Sequence, residues 1–242
     1  MNLLIDVGNS RVKWSIYIKN KIFEHNTIDE LDFNYFKNIL MRFRDVKNIG
    51  YCNNKEYNKI FLNKITRCDV NLFNVSESLI LPFESNYNSI QNLGCDRIAL
   101  CCGALKNYEQ DILVIDIGTC ITYDLIINKK HIGGQISPGL NMRFKSLNFF
   151  TKKLPLLQFN QNIKFIGNST KTSVEVGIAD SIIFEIDEVI KKYINNYPKL
   201  KVVITGGDYK FFENKLKKIN FSHPYLLMDG LNYIIALNEN KN

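Results

Sequence analysis

The chain has 242 residues, with 31 Lys and Arg against 24 Asp and Glu, a formal net charge of +7. Hydrophobic residues make up 45% and aromatics 12%, enough apolar side chain for a packed core, which excludes a disordered, collagen-like or coiled-coil chain. The length suits one large domain or two small ones, and the longest apolar run, IALCCGAL, is less than half the ~18–20 residues a membrane span needs.

Residues 2–7 read as a short apolar strand. VKWSIYI at 12–18 and KIFEHNTI at 21–28 follow as strands, with Lys19 and Asn20 as the turn between them. From Asp29 the spacing becomes helical, with Leu31, Phe36, Ile39, Leu40 and Phe43 behind an Asp N-cap. A strand near 46–52, a helix near 55–65 and a strand near 69–75 are expected next. Then the pattern starts again. DILVIDIG at 111–118, ITYDLII at 121–127 and HIGGQIS at 131–137 read as three strands, followed by a helix from about Pro138 with the proline in its first turn. The stretch 171–194 is helical by the spacing of Val174, Ile178, Ile182, Ile186, Val189 and Ile190. A strand at 201–205, a helix at 208–218, a strand near 225–228 and a helix from about Leu231 close the chain.

Each half thus opens with three strands and continues as alternating helix and strand, an α/β pattern. The halves share a motif at the same place: DVGNS at 6–10 after the first strand, and DIGTC at 116–120 after its counterpart. This domain-scale repeat puts a boundary near 108–111, giving domains at 1–109 and 110–242 with a cleft between them.

The basic residues are scattered, with short clusters such as Lys215, Lys217 and Lys218 that read as a solvated helix face. A nucleic-acid binder would gather them on one stripe with aromatics interleaved, whereas a polyanionic small ligand such as a nucleoside triphosphate fits the same charge. Among the six Cys none forms a C-x-x-C pair or has a His at metal-ligand spacing, and adjacent Cys101 and Cys102 read as buried small hydrophobes. The start MNLLIDVGNS has no basic segment and places Asp6 where an export signal would be apolar, so a reducing cytoplasm is the expected compartment. His25, His131 and His223 are far apart and no G-x-S-x-G accompanies them, which removes support for a Ser-His-Asp hydrolase.

An Asp at the end of a buried strand is costly unless something there wants a negative charge. The Gly two residues on lets the backbone approach a ligand and turns the following N–H groups toward an anion. One such loop is ordinary turn chemistry. Two copies, each after a strand that opens a three-strand run, point to phosphate oxygens and a hydrated divalent cation. A third element, TGGD at 205–208, follows a strand and opens a helix, and its paired Gly206 and Gly207 would let a flat ligand such as adenine lie on the backbone.

These motifs, in this order, resemble the type III pantothenate kinases of the acetate kinase, sugar kinase, Hsp70 and actin superfamily. DVGNSRVKW at 6–14 resembles the first phosphate loop, and NYNSIQNLGCDR at 86–97 the substrate segment, with a Tyr seven residues before Gly-x-Asp-Arg. VIDIGTCITYD at 114–124, GGQISPGL at 133–140 and the Thr-x-x-Leu-Pro of 151–155 continue the match. The resemblance implies two ribonuclease H-like domains of the actin-like ATPase fold with a nucleotide cleft between them. It also implies transfer of the ATP γ-phosphoryl group to pantothenate, the first step toward coenzyme A, by a cytoplasmic homodimer.

By that resemblance Asp96 is the general base, where the residue alone would read as a helix N-cap. Tyr87, Gly94, Cys95, Arg97 and Thr170 contact pantothenate, although Tyr87 alone could be a half-buried anchor and Arg97 a surface ion pair. Asp6, Val7, Gly8, Asn9, Ser10, Arg11, Val12 and Lys13, with Thr119, Gly206 and Gly207, hold ATP, and Asp6 also holds its Mg²⁺. Asp116 matches the family's position for a monovalent cation, K⁺ or NH₄⁺; superfamily logic alone would make it a second Mg²⁺ carboxylate. The long helix 171–194 is the expected dimer interface, through which a partner subunit completes the pantothenate pocket. Cys120 stands where the family has Ala, and Ser89-Ile90 where a Pro is common. A sugar kinase, a nucleotide-binding transcriptional accessory protein and a nucleic-acid binder are the alternative readings.

Overall fold

In the computed structural model, which describes residues 1–53, 59–75, 79–159 and 165–239, the opening alternation folds as β1 (Asn2–Val7), β2 (Val12–Ile18) and β3 (Lys21–Ile28). These strands pair antiparallel in sequence, the second pair turning through Lys19 at φ 56°. Helix α1 (Phe33–Arg42) follows. Its cap is Asp32, whose carboxylate accepts the Tyr35 N–H at 2.6 Å, so the helix begins a turn later than the change of spacing at Asp29. Strand β4 (Asn48–Asn53), helix α2 (Lys59–Ile65) and strand β5 (Asn71–Asn74) come next, and the earlier residues of the helix expected at 55–65 lie outside the described residues. The order across the sheet is β3-β2-β1-β4-β5. Its inward face packs Leu3, Ile5, Trp14 and Ile16 against Phe36, Ile39, Phe61 and Ile65. A two-residue strand β6 (Glu84–Ser85) and a single 3₁₀ turn at Ile90–Asn92 lead to helix α3 (Cys95–Asn107).

The second run is β7 (Ile112–Ile117), β8 (Cys120–Ile127), β9 (Lys130–Pro138), α4 (Leu140–Phe150), α5 (Thr170–Asn196), β10 (Lys201–Thr205), α6 (Tyr209–Glu213), β11 (Phe221–Ser222) and α7 (Leu226–Asn238). Its strand order, β9-β8-β7-β10-β11, is the first sheet's order over again. The repeat seen in the motifs is therefore a repeat of topology. Three expectations need correction. Pro138 ends β9 and Gly139 caps α4, so the proline terminates a strand rather than starting a helix. The helix expected at 208–218 stops at Glu213. The strand expected near 225–228 is the first turn of α7, whose buried Leu226, Leu231, Ile234 and Ile235 follow a helical spacing. A short apolar run such as YLLM fits either period, and here packing decides.

By compactness the chain forms two units: Met1–Glu109 with Lys129–His131 and Tyr225–Asn242, and Gln110–Asn128 with Ile132–Pro224. In the first, β6 pairs in parallel with Lys130 and His131. Cys52 on β4 and Cys95 at the start of α3 are joined by a disulfide, with their Cα atoms 5.6 Å apart. Cys101 and Cys102 are fully buried, as expected of small hydrophobes. No helix among the described residues is long and apolar enough to cross a membrane.

The last helix of the chain packs on α3 in this unit at a glycine crossing. A Cβ on Gly103 would fall on the Leu226 carbonyl oxygen, and one on Gly230 would fall on the Ala99 carbonyl oxygen. These are backbone atoms, which no rotamer change can move aside. Gly230→Ala recovers about 1 kcal/mol of helix propensity but forces the helices apart, at about 1–3 kcal/mol for overpacking of this kind. The close approach makes the second effect the larger, so the variant is expected to be less stable. Urea denaturation checks this; a midpoint equal to or above the native one would refute the crossing.

Candidate active site

The first loop grows out of the register of β1 and β2. Asp6 stands opposite Lys13 on β2 and opposite Cys52 on β4, so the three side chains share one face of the sheet. Between Val7 and Val12 the chain turns through Gly8, Asn9, Ser10 and Arg11, closed by the Gly8 N–H donating to the Arg11 carbonyl at 3.1 Å. Asn9, Ser10 and Arg11 are exposed, Val7 and Val12 are core, and Asp6 is only 5% exposed. Burial pushes the Asp6 carboxyl up to about 6; Lys13 pulls it back and the negative charge of Asp96 pushes it further up. Asp6 and Asp96, 90 positions apart in the chain, therefore act on one another electrostatically.

Asp96 is brought there by α3. Gly94 is the N-cap, so Asp96 lies inside the first turn, where a carboxylate is favoured by the helix dipole, and it accepts the Arg97 N–H at 2.8 Å. The plain N-cap reading of Asp96 is thus replaced. Arg97 is buried, 4% exposed, rather than a surface ion pair. Its Nη1 donates to the Tyr87 hydroxyl at 3.2 Å and its guanidinium lies 5.5 Å from the Tyr87 ring centroid. Tyr87 is set in turn by residues that the sequence did not single out together. Its N–H donates to Ser85 Oγ at 3.1 Å, Ser85 Oγ pairs with His131 Nδ1 at 3.1 Å, and the Tyr87 and His131 rings are 5.7 Å apart. His131 is the one fully buried side chain on a strand whose other residues are partly or fully exposed. The first unit thus gathers Asp6, Lys13, Tyr87, Asp96 and Arg97.

The second unit gathers Asp116, Thr119, Gly206 and Gly207. Asp116 ends β7 opposite Thr122 on β8 and Thr205 on β10, the places that Lys13 and Cys52 hold around Asp6. Its loop is one residue shorter, Gly118 to Cys120, closed by the Gly118 N–H on the Cys120 carbonyl at 3.0 Å. Gly206 has φ 106°, and a Cβ there would fall on the Ile117 carbonyl oxygen and 2.5 Å from Asp116 Oδ1, so glycine is required on both counts. Gly207 faces open space. Just beyond, the Asp208 N–H donates to the Ile117 carbonyl at 2.9 Å, and burial holds the Asp208 carboxyl above its ordinary range. Thr170 is not with this group. It is exposed at the start of α5, on the rim of a pocket of about 500 Å³ lined also by Arg143, Ser173 and Gly177. Arg143 forms an ion pair with Glu185. Burial alone would raise the Glu185 carboxyl, but hydrogen bonds from Ser137, Arg143 and Tyr123 and the charge of Arg143 outweigh it, and the carboxyl titrates below its usual range.

Both loops suit cations of the hard, oxygen-seeking kind. Asp6 is a buried carboxylate whose charge the protein opposes, so an added cation relieves it. Beside Asp116, the Thr122 hydroxyl oxygen is buried without a hydrogen-bond partner, a neutral oxygen donor on the face that carries the carboxylate.

Residues 2–192 match the family model of type III pantothenate kinase. The chain is 37% identical to a type III pantothenate kinase of Christiangramia forsetii and 36% identical to one of Phocaeicola vulgatus, in each case over 99% of both chains. Among solved structures it is similar to a Campylobacter jejuni protein described as a Baf family transcriptional activator, with TM-score 0.64, 26% identity and 98% and 99% of the two chains covered. A glucokinase from an Antarctic psychrotroph, at 10% identity and TM-score 0.53 over 98% of each chain, shares the fold. The fold is the two-sheet architecture of the actin-like ATPases and sugar kinases.

The Asp6 carboxyl generates a prediction. Its folded-state value of about 6 lies above the ordinary 3.8, so the native state holds this proton more tightly than the unfolded chain. The stabilisation is complete below about pH 4 and is lost as pH rises through about 6. Asp6→Asn, compared with the native chain without nucleotide or divalent cation, should gain relative stability across that interval, up to about 3 kcal/mol at neutral pH. Denaturation curves at acid and neutral pH measure it, and a difference that does not change with pH would overturn the assignment.

Proposed function

The chain belongs to the type III pantothenate kinase family, and we infer that it transfers the γ-phosphoryl group of ATP to pantothenate through the residues gathered around Asp6 and Asp96. One observation carries this reading: a buried Asp on the first phosphate loop interacts electrostatically with Asp96, whose neighbour Arg97 is buried against Tyr87.

Phosphoryl transfer asks a protein for in-line positioning, neutralisation of charge and a group to take the proton of the attacking hydroxyl. Asp96 supplies the last as general base, held half-buried at a helix start with one carboxylate oxygen occupied by the Arg97 N–H and the other left for the hydroxyl. Arg97, held against Tyr87, presents its guanidinium to the substrate carboxylate, for which its fork is suited. Gly94 and Cys95 supply the turn that carries both. Lys13 and the backbone of the exposed Asn9, Ser10 and Arg11 bind phosphate oxygens, with the loop held closed by the Gly8 N–H on the Arg11 carbonyl. Asp6 holds the Mg²⁺ that accompanies ATP, and this ion neutralises phosphate charge when bound. Thr119, Gly206 and Gly207 bind ATP as well. Asp116, with Thr122 beside it, holds the monovalent cation, K⁺ or NH₄⁺. We further place the protein in the cytoplasm as a homodimer with α5 at its interface, Thr170 and Arg143 meeting pantothenate there. The domains expected at 1–109 and 110–242 are read as the two units with residues 129–131 and 225–242 joined to the first. The alternative of a transcriptional accessory protein is not favoured, since a binding module has no need of a base beside a phosphate loop.

Two outcomes test the assignment. Asp96→Asn is expected to lower kcat for pantothenate phosphorylation by about 10²–10⁴-fold, the contribution of a positioned base, with the KM for ATP little changed. Turnover by the native chain that survives in the variant would remove Asp96 as base. Replacing K⁺ by Na⁺ is expected to depress the native rate at least several-fold, and Thr122→Val should blunt that dependence; equal rates in the two salts would remove the cation from Asp116.

A further inference from the structure

The disulfide lies where the two parts of the first unit's site meet. Cys52 sits beside Asp6 across the β1–β4 pairing, on the same face, and Cys95 immediately precedes Asp96. One covalent link therefore ties the strand neighbour of the phosphate-loop carboxylate to the chain neighbour of the base. The two sulfurs differ in setting. Cys52 is fully buried, while Cys95 is partly exposed at the first position of a thirteen-residue helix, where the helix dipole favours a thiolate. A partly exposed cysteine with a buried one in bonding range is the arrangement of an attacking and a resolving cysteine. The other described cysteines lack it: burial holds the Cys102 thiol protonated, and Cys68, Cys101 and Cys120 are in no disulfide.

We propose that Cys52 and Cys95 are a reversible thiol–disulfide switch on the catalytic turn, thrown by low-molecular-weight disulfides, and that the bonded form is the slower kinase. In the first step the Cys95 thiolate attacks a small disulfide RSSR, forming a Cys95–S–S–R mixed disulfide and releasing RS⁻. In the second, Cys52 gives up its proton and attacks the Cys95 sulfur, expelling a second RS⁻. The two thiolates released take up the two protons that left the cysteines, so two protein thiols are oxidised and one RSSR is reduced to two RSH. A dithiol reductant reverses the sequence. The bond slows catalysis because it removes the freedom of the first turn of α3, which carries Asp96 and Arg97, to close on the hydroxyl and carboxylate of the acid substrate.

The rate consequence rests on the kinase reading above; the thiol chemistry does not. The test uses the full-length chain, reduced with a dithiol and then treated with oxidised glutathione as the small disulfide, read by intact mass and by pantothenate phosphorylation. The native chain should lose two hydrogens without retaining an adduct. Its kcat should fall at least threefold, with the KM for ATP unchanged, and recover on reduction. Cys52→Ala should instead trap the glutathione adduct on Cys95, and Cys52→Ser serves if the alanine variant folds poorly. A native chain that stays reduced, or Cys52 variants that take no adduct on Cys95, overturns the switch. So does a bonded chain that turns over as fast as the reduced one. If neither state phosphorylates pantothenate, the kinase reading and the rate consequence fall together, while the trapped adduct still decides the thiol chemistry.

Discussion

The backbone contact between α3 and α7 at Gly103 and Gly230 is the constraint from which the rest of the first unit's site follows. A helix held against a neighbouring backbone, rather than against flexible side chains, has little room to slide, because packed interiors yield only in discrete steps. The body of α3 is placed accordingly, and its first turn, with Asp96, Arg97 and Cys95, moves only about that fixed point. The apolar run through Ala99, Cys101, Cys102 and Ala104 is small-sided for the same reason: it lets a helix lie close to its neighbours. The last helix of the chain thus braces a turn more than a hundred residues before it.

The two Asp-x-Gly loops share a form but differ in chemistry. Each Asp ends the central strand of a sheet with the order three-two-one-four-five, flanked by one antiparallel and one parallel neighbour. Around Asp6 those neighbours supply an ammonium and a thiol-derived sulfur; around Asp116 they supply two hydroxyls. The first loop is one residue longer and exposes three residues for phosphate, whereas the second is tight and pressed by Gly206. A positive neighbour with open amides suits a polyphosphate, and neutral oxygens around a carboxylate suit a bare or weakly hydrated cation. The frame is the same in both, and a few side chains at matched register positions make the difference.

Much of this was legible before any coordinates. The three-strand openings of both halves, the long helix and the Asp-x-Gly loops follow from local periodicity and turn chemistry, which a sequence carries directly. The failures occurred where local signals are degenerate. YLLM near 225–228 suits strand or helix, and only the burial of Leu226 against α3 makes it helical. Pro138 is tolerated both at a helix start and at a strand end, and the strand claims it. Of the site, Asp6, Asp96, Arg97 and Tyr87 were visible as motif residues. The Ser85–His131 support behind Tyr87 was not, because a serine and a histidine 46 positions apart carry no spacing signal.

The sequence by itself determined most element types, the internal repeat and which carboxylates, glycines and basic residues its motifs carry, since these depend on residue chemistry and short-range spacing. Tertiary structure alone decided which of those groups meet. It buried Asp6 until its carboxyl titrates near 6, set the charge of Asp96 to act on it and turned Arg97 inward onto Tyr87. It also joined Cys52 to Cys95 across 43 positions. Burial, electrostatic coupling and cross-linking arise from distances between residues remote in the chain, and no local pattern of a single sequence encodes those distances.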